Sequence, residues 1–318
     1  MRCVFFRDSG SLTLDVPPSE TSRWRAVARV LRSPMDAVGC ALLPGFCSLC
    51  GSPLPHFSSV PICAACWTEF PALGGPACSR CGDTLDSASV GALCRACRMA
   101  PPTFVRAVAY GLYQDRMKAA IHALKYDRLH PAAHELGRML ALAIAQLASE
   151  APQEMLVVPV PLHRLKYAER GFNQARSLAT HALTFLRKSH PRWKLTLASR
   201  TLMRLKATES QAGLNPRQRR LNLRGAFTVS DPAAVTLKHI LVIDDIFTTG
   251  ATVRAAAQAL TQAGAASVWV ATLARARRLH ETRFAAANTG NYQDITVHTL
   301  AEIAPEESVH SSHDQPSF

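Results

Sequence analysis

Residues 239–260 read HILVIDDIFTTGATVRAAAQAL. A short apolar run bounded by polar residues predicts a buried strand over 239–244. The alanine-rich stretch after it has apolar residues at helical spacing and predicts a helix from about Ala251 to Gly264, where the glycine can end it. Between them lie two adjacent carboxylates, Asp244 and Asp245, then hydroxyls and a glycine. Further strands are predicted at 105–113, 155–160, 193–198, 225–229 and 267–274, and helices at 114–126, 132–148 and 172–186. Strands alternating with helices indicate an α/β fold built on a parallel sheet, in which ligands bind beyond the carboxyl ends of the strands. The turn after Asp244 is therefore where a site belongs.

The residue types at that turn specify a ligand. Over Thr248, Thr249, Gly250, Ala251 and Thr252, free N–H groups and the positive end of a helix dipole favour a phosphate, the threonine hydroxyls add donors, and Gly250 permits close approach. Asp244 and Asp245 would repel that phosphate, so they address another part of the ligand. Ionised carboxylates accept two O–H donors, which suits the vicinal hydroxyls of a sugar. Phosphate plus diol is ribose 5-phosphate. A simple helix cap would explain the threonines but not the paired acids.

The 318-residue chain is 48% hydrophobic, ordinary for a globular protein. No stretch approaches the roughly 18 apolar residues of a membrane span, and the first residues lack the apolar centre of a secretory signal, so a cytoplasmic protein with no membrane span is expected. Residues 161–224 carry 15 Lys and Arg against Glu169 and Glu209, which equals the whole chain's net charge of +13. That concentration suggests an anionic partner, a phosphate ligand or a nucleic acid.

Eight of the ten cysteines form a repeat: Cys47, Cys50, Cys63 and Cys66, then Cys78, Cys81, Cys94 and Cys97, each 31 residues after its counterpart. C-x2-C-x12-C-x2-C supplies the four soft thiolates of a closed, structural zinc site, and Gly51 and Gly82 suit the turn of each leading knuckle. The ligands could pair within each repeat or across repeats. Cys3, Cys40 and His56 fall outside the ligand pattern. The expected organisation is an N-terminal extension (1–43, with a short helix from about Ser22), a double zinc-ribbon segment (44–100), a stiff Pro101-Pro102 linker, an α/β domain (103–285) and a polar, largely disordered tail (286–318).

VIDDIFTTGAT resembles the phosphoribosyl pyrophosphate signature of type I phosphoribosyltransferases, and no Walker Gly-Lys-Ser/Thr accompanies it. With VVPVPLHRLKYAERGFNQARSLA, RLKATESQAGLNPRQRRLNLRGAF, ALKY at 123–126 and the cysteine repeat, residues 44–275 are similar to the ComF family, a zinc ribbon joined to such a domain. The resemblance implies that Asp244 and Asp245 meet the ribose hydroxyls and that residues 248–252 hold the 5-phosphate. It makes Arg170 and Gly171, with Arg164 and Lys166, candidates for a pyrophosphate loop, and Arg204, Lys206, Thr208 and Gln211 candidates on a mobile loop over 204–220. Magnesium would accompany the pyrophosphate. It further implies a role in DNA uptake for natural competence, with single-stranded DNA or a helicase or other DNA-processing partner. The alternative is an active pentosyltransferase moving ribose 5-phosphate to a nitrogen nucleophile.

Overall fold

Five strands form one parallel sheet: β1 (Ala107–Leu112), β2 (Glu154–Pro159), β3 (Lys194–Leu197), β6 (His239–Phe247) and β7 (Ser267–Arg275), in the order β1-β7-β6-β2-β3. The computed structural model describes residues 45–54, 60–70, 73–85, 92–126, 129–206 and 225–277. The expected helix at Ser22, Cys3, Cys40, His56, Thr208, Gln211 and the tail lie outside the described residues. The described residues all fall in one compact unit.

The central strand is apolar on both faces because both are covered. Leu241 and Ile243 pack toward α3 (Asp115–Tyr126), α4 (Ala133–Ala145) and α6 (Gln174–Ser189), whereas Ile240 and Val242 pack toward α7 (Ala251–Gln262). Period-two alternation along β6 thus builds two cores from one run. The cysteine repeat contributes to both: Cys47 and Cys66 are buried with the first layer, and Cys78, Cys81, Cys94 and Cys97 with the second. Two short helices, α1 (Ala64–Thr68) and α2 (Arg95–Met99), start directly after Cys63 and Cys94 and carry the last cysteine of each repeat, Cys66 and Cys97.

Three local expectations change. The strand does not end at Asp244 but runs on through Phe247, because Ile246 and Phe247 are apolar and pair with Ala274 and Arg275 of β7. The predicted strand at 225–229 stays out of the parallel sheet: β5 (Phe227–Val229) pairs antiparallel with β4 (Leu202–Arg204), making a separate hairpin that brackets residues 207–224. The loop expected after VVPV contains a helix, α5 (Arg164–Arg170), capped by the His163 ring and closed by Gly171 in the left-handed conformation. None of α5's residues is buried, so it has no apolar periodicity to find.

Helices α4 and α6 meet at Gly137, where an added Cβ would fall on His181 Cβ and lie 3.2 Å from both Ala182 N and Leu178 O. Gly137→Ala gains about 1 kcal/mol of helix propensity but forces the backbones apart at a cost of about 3 kcal/mol. A net loss of about 2 kcal/mol is expected, read as a melting temperature several degrees lower; an unchanged or higher value would show that the helices separate freely.

Candidate functional site

The extension of β6 decides the site's electrostatics, because it places both carboxylates inside a strand rather than on a solvated turn. Asp244 and Asp245 are buried. Asp245 Oδ2 receives Lys125 Nζ from α3 at 2.5 Å and Gln174 Nε2 from the first turn of α6 at 3.4 Å. Asp244 Oδ1 accepts the Asp245 N–H at 2.9 Å. Burial pushes the Asp244 carboxyl up to about 8, and the neighbouring Asp245 charge adds to the effect. Burial acts on Asp245 in the same sense, but the Lys125 ammonium outweighs it and holds that carboxyl below its usual range. Lys125 is likewise disfavoured by burial and rescued by Asp245. At neutral pH the trio holds an ion pair and one protonated acid, close to neutral overall.

Beyond Phe247 the chain bends through Thr248 and Thr249 into Gly250, which adopts a φ of 76° and precedes α7. Two constraints require glycine here. The left-handed conformation is one, and the other is an added Cβ that would lie 2.5 Å from Phe247 Cζ. Thr249 Oγ1 accepts the Ala251 N–H at 3.4 Å, and Thr252 stands half-buried in the first turn of the helix. First-turn N–H groups have no partner inside their own helix, so the bend presents donors and a positive dipole end together.

A basic wall stands over the acid pair. Lys166 of α5 is pushed below its usual range by burial and then by Arg204 and Arg170, with Lys125 adding to them. Burial also lowers Arg204, partly offset by Asp244, and its guanidinium lies 5.5 Å from the Phe227 ring centre. Arg170 donates to Tyr126 Oη at 2.9 Å and lies over that ring. Arg164 and Lys206 are exposed, and Gly171 closes α5. The structure therefore gathers Asp244, Asp245, Lys166, Arg170 and Arg204, sets residues 248–252 at the end of the same strand, and leaves Arg164 and Lys206 facing solvent.

Lys125 and Gln174 were missed as site residues, although ALKY contains the first. Lys125 directly follows the buried Ala123 and Leu124 on α3, and its role comes from the tertiary contact with Asp245 rather than from a local pattern. Gln174, at the first position of α6, is buried, and its Oε1 has no partner among the described residues. A buried acceptor without a donor beside two carboxyls marks a place where a ligand hydroxyl would fit.

The cysteines settle the pairing question. Within each repeat the four sulfurs lie within 4.8 Å of one another, so ligands group sequentially, not across repeats. The Cys47–Cys66, Cys50–Cys63 and Cys81–Cys94 sulfur separations are 3.7 Å. A tetrahedron with Zn–S bonds of about 2.3 Å has edges of about 3.8 Å, so the residues fit zinc. Cys47 Sγ also accepts the N–H groups of Cys63 (3.3 Å) and Leu49 (3.5 Å), as a thiolate ligand would.

Comparison with known proteins agrees with this division. The double zinc ribbon domain family matches residues 39–98, and the phosphoribosyl transferase domain family matches residues 173–297. DNA utilization protein YhgH of Escherichia coli strain K12 is 32% identical over 241 residues, 73% of this chain and 98% of that protein. Competence protein F of Haemophilus influenzae is 27% identical over 183 residues, 57% of this chain and 77% of that protein. Competence protein ComFC of Bacillus subtilis is 36% identical over 124 residues, 39% of this chain and 45% of that protein. The chain belongs to this family, the ComF family.

The raised carboxyl has a measurable cost. A folded-state pKa near 8 against an unfolded value near 4 means that stability is fully present below about pH 4 and is lost as pH rises through 8. Asp244→Asn keeps the shape and removes that titration. It is expected to melt several degrees above the unsubstituted protein at pH 8.5, with the gap closing toward pH 4; a gap independent of pH would contradict the assignment.

Proposed function

We propose that this member of the ComF family binds phosphoribosyl pyrophosphate with magnesium at the carboxyl end of β6 and acts in the cytoplasm in the uptake or use of DNA. The observation that carries the ligand reading is the juxtaposition of a charge-compensated acid pair and a glycine-led helix start at the end of one strand. The 5-phosphate sits on residues 248–252, where backbone donors and the helix dipole meet it. The ribose hydroxyls donate to the acid pair and to Gln174 Oε1. Pyrophosphate faces Lys166, Arg170 and Arg204, whose crowding disfavours Lys166's charge until an anion arrives. Magnesium fits this arrangement only as part of the ligand. Asp245 Oδ2 is taken by Lys125 and Gln174, and Asp244 is held protonated, so the ion would be carried by pyrophosphate oxygens and water and would offset their charge.

The DNA role is supported by the names of the relatives and by the basic character of residues 161–224. Single-stranded DNA, presented by a helicase or other DNA-processing protein, is the partner that this charge suits. A second reading, phosphoribosyl transfer to a nitrogen nucleophile, is favoured by the same cationic wall. Arg204 would stabilise a leaving pyrophosphate, while the acids steady the ribose. No helix among the described residues is long and apolar enough to cross a membrane.

Calorimetry on zinc-loaded protein is expected to show one site for phosphoribosyl pyrophosphate with magnesium, weakened at least tenfold by Gly250→Ala. Absence of uptake at millimolar ligand would refute the reading. Pyrophosphate release in the presence of a base panel, abolished by Asp245→Asn, would establish the transferase alternative; binding without release would favour the non-catalytic one. Single-stranded DNA affinity is expected to fall steeply between low and high salt, and a flat profile would remove the phosphate-contact model.

A further inference from the structure

The second cysteine cluster reaches the phosphate bend through two arginines, and among the described residues the first cluster has no such link in its sulfur contacts. Arg275, the last residue of β7, is register partner to Phe247 on β6. Its guanidinium is buried, lies 4.3 Å from the centre of the Phe247 ring and pairs with Asp83 at 3.2 Å. It also donates to the Cys81 carbonyl and, at 3.5 Å, to Cys81 Sγ. Phe247 is the ring against which Gly250 packs so closely that a Cβ has no room. Arg254, in the first turn of α7, donates to Cys97 Sγ at 3.7 Å and to the Ala100 carbonyl at 2.8 Å, and its guanidinium lies 5.9 Å from the centre of Phe104. Phe104 in turn meets Phe247 edge-on at 6.3 Å between ring centres. Among the described residues, the first cluster's sulfurs meet backbone N–H groups and Ser52.

One zinc ion on four thiolates carries two net negative charges, and two guanidiniums donate to those sulfurs from opposite cysteine pairs. Loading the second cluster would therefore fix Arg275 and Arg254. Arg275 holds Phe247 under Gly250, and Arg254 holds the first turn of α7. We propose that Arg275 and Arg254 are positioning residues that couple zinc in the Cys78–Cys81–Cys94–Cys97 cluster to phosphate binding at residues 248–252. The inference rests on the phosphate reading of that bend. Because coupling between two binding sites is reciprocal, a phosphate ligand must tighten this zinc ion by the factor by which the zinc ion tightens the ligand.

The test uses the full chain loaded with two zinc ions, ribose 5-phosphate as probe, and a chromogenic chelator that competes for zinc. At equilibrium with the chelator, saturating ribose 5-phosphate is expected to raise the apparent affinity for one ion about fivefold or more and leave the other unchanged. Arg275→Met is expected to abolish this increase and weaken ribose 5-phosphate binding by a similar factor in calorimetry. Arg254→Met leaves the buried Arg275–Asp83 pair intact, so it carries the test even if the first variant does not fold. Uptake of ribose 5-phosphate by the unsubstituted protein with unchanged affinity for both ions would overturn the coupling alone. Wild-type affinity in both variants would do the same. No uptake by the zinc-loaded unsubstituted protein would overturn the phosphate reading, and the coupling with it.

Discussion

The ion pair between Lys125 and Asp245 is the interaction on which the rest of the site depends. Two carboxylates at the end of a buried strand cannot both stay ionised without a counter-charge, and α3 delivers one at 2.5 Å. With Asp245 satisfied, Asp244 becomes the variable group, held protonated by burial and by its neighbour. The strand can then continue to Phe247, and the bend that follows starts from a fixed platform. Losing Lys125 would leave two acids competing for one low-dielectric corner and would loosen the strand end from which Gly250 and α7 depart.

The same logic accounts for the sign of charge around the site. Near-neutrality at the floor means that the cations above it, Lys166, Arg170 and Arg204, are not consumed by the acids below. Asp244 offsets only part of the burial cost at Arg204, and Lys166 is disfavoured by its own neighbours. A wall of this kind is costly when empty and favourable when a multiply charged anion enters, so binding energy is stored in repulsion among the protein's own groups. In the proposed reading the floor suits hydroxyls and the wall suits anions, a division that a uniformly basic cleft would not produce.

Much of this was readable from residues alone where a period carried the message. Alternating strands and helices pointed to the parallel sheet, and the twice-used cysteine spacing pointed to the two four-cysteine clusters. Reading failed where the signal lay in tertiary contacts. The apolar Ile246 and Phe247 after the acids were a usable sign that β6 continued, but two charged residues in succession mimic a strand end. Helix α5 buries nothing, so HRLKYAER has no face to reveal it. Strand β4 is three residues long and exists because β5 returns to it across 207–224. Lys125 and Gln174 acquire roles only when α3 and α6 converge on β6, which no local pattern encodes.

The cysteine repeats raise a question of scale that the packing answers. A segment of about 30 residues cannot bury a core of its own, which is why small ribbons depend on metal. Here the two repeats draw on the sheet as well. The first shares a core with α3, α4 and α6, and the second shares one with α7 and the inward residues of β2, β6 and β7. Each face of the sheet therefore has one four-cysteine cluster packed with it, but the clusters differ in what touches their sulfurs. Among the described residues, the first cluster's sulfurs meet backbone N–H groups and the nearby Ser52 hydroxyl. Arginine donors at the second are side chains with other obligations, one to the ring beneath Gly250 and one to the helix that begins there. Any strengthening of those sulfur contacts must then be felt at the bend, because Phe247 is packed too tightly against Gly250 to absorb a shift of its own.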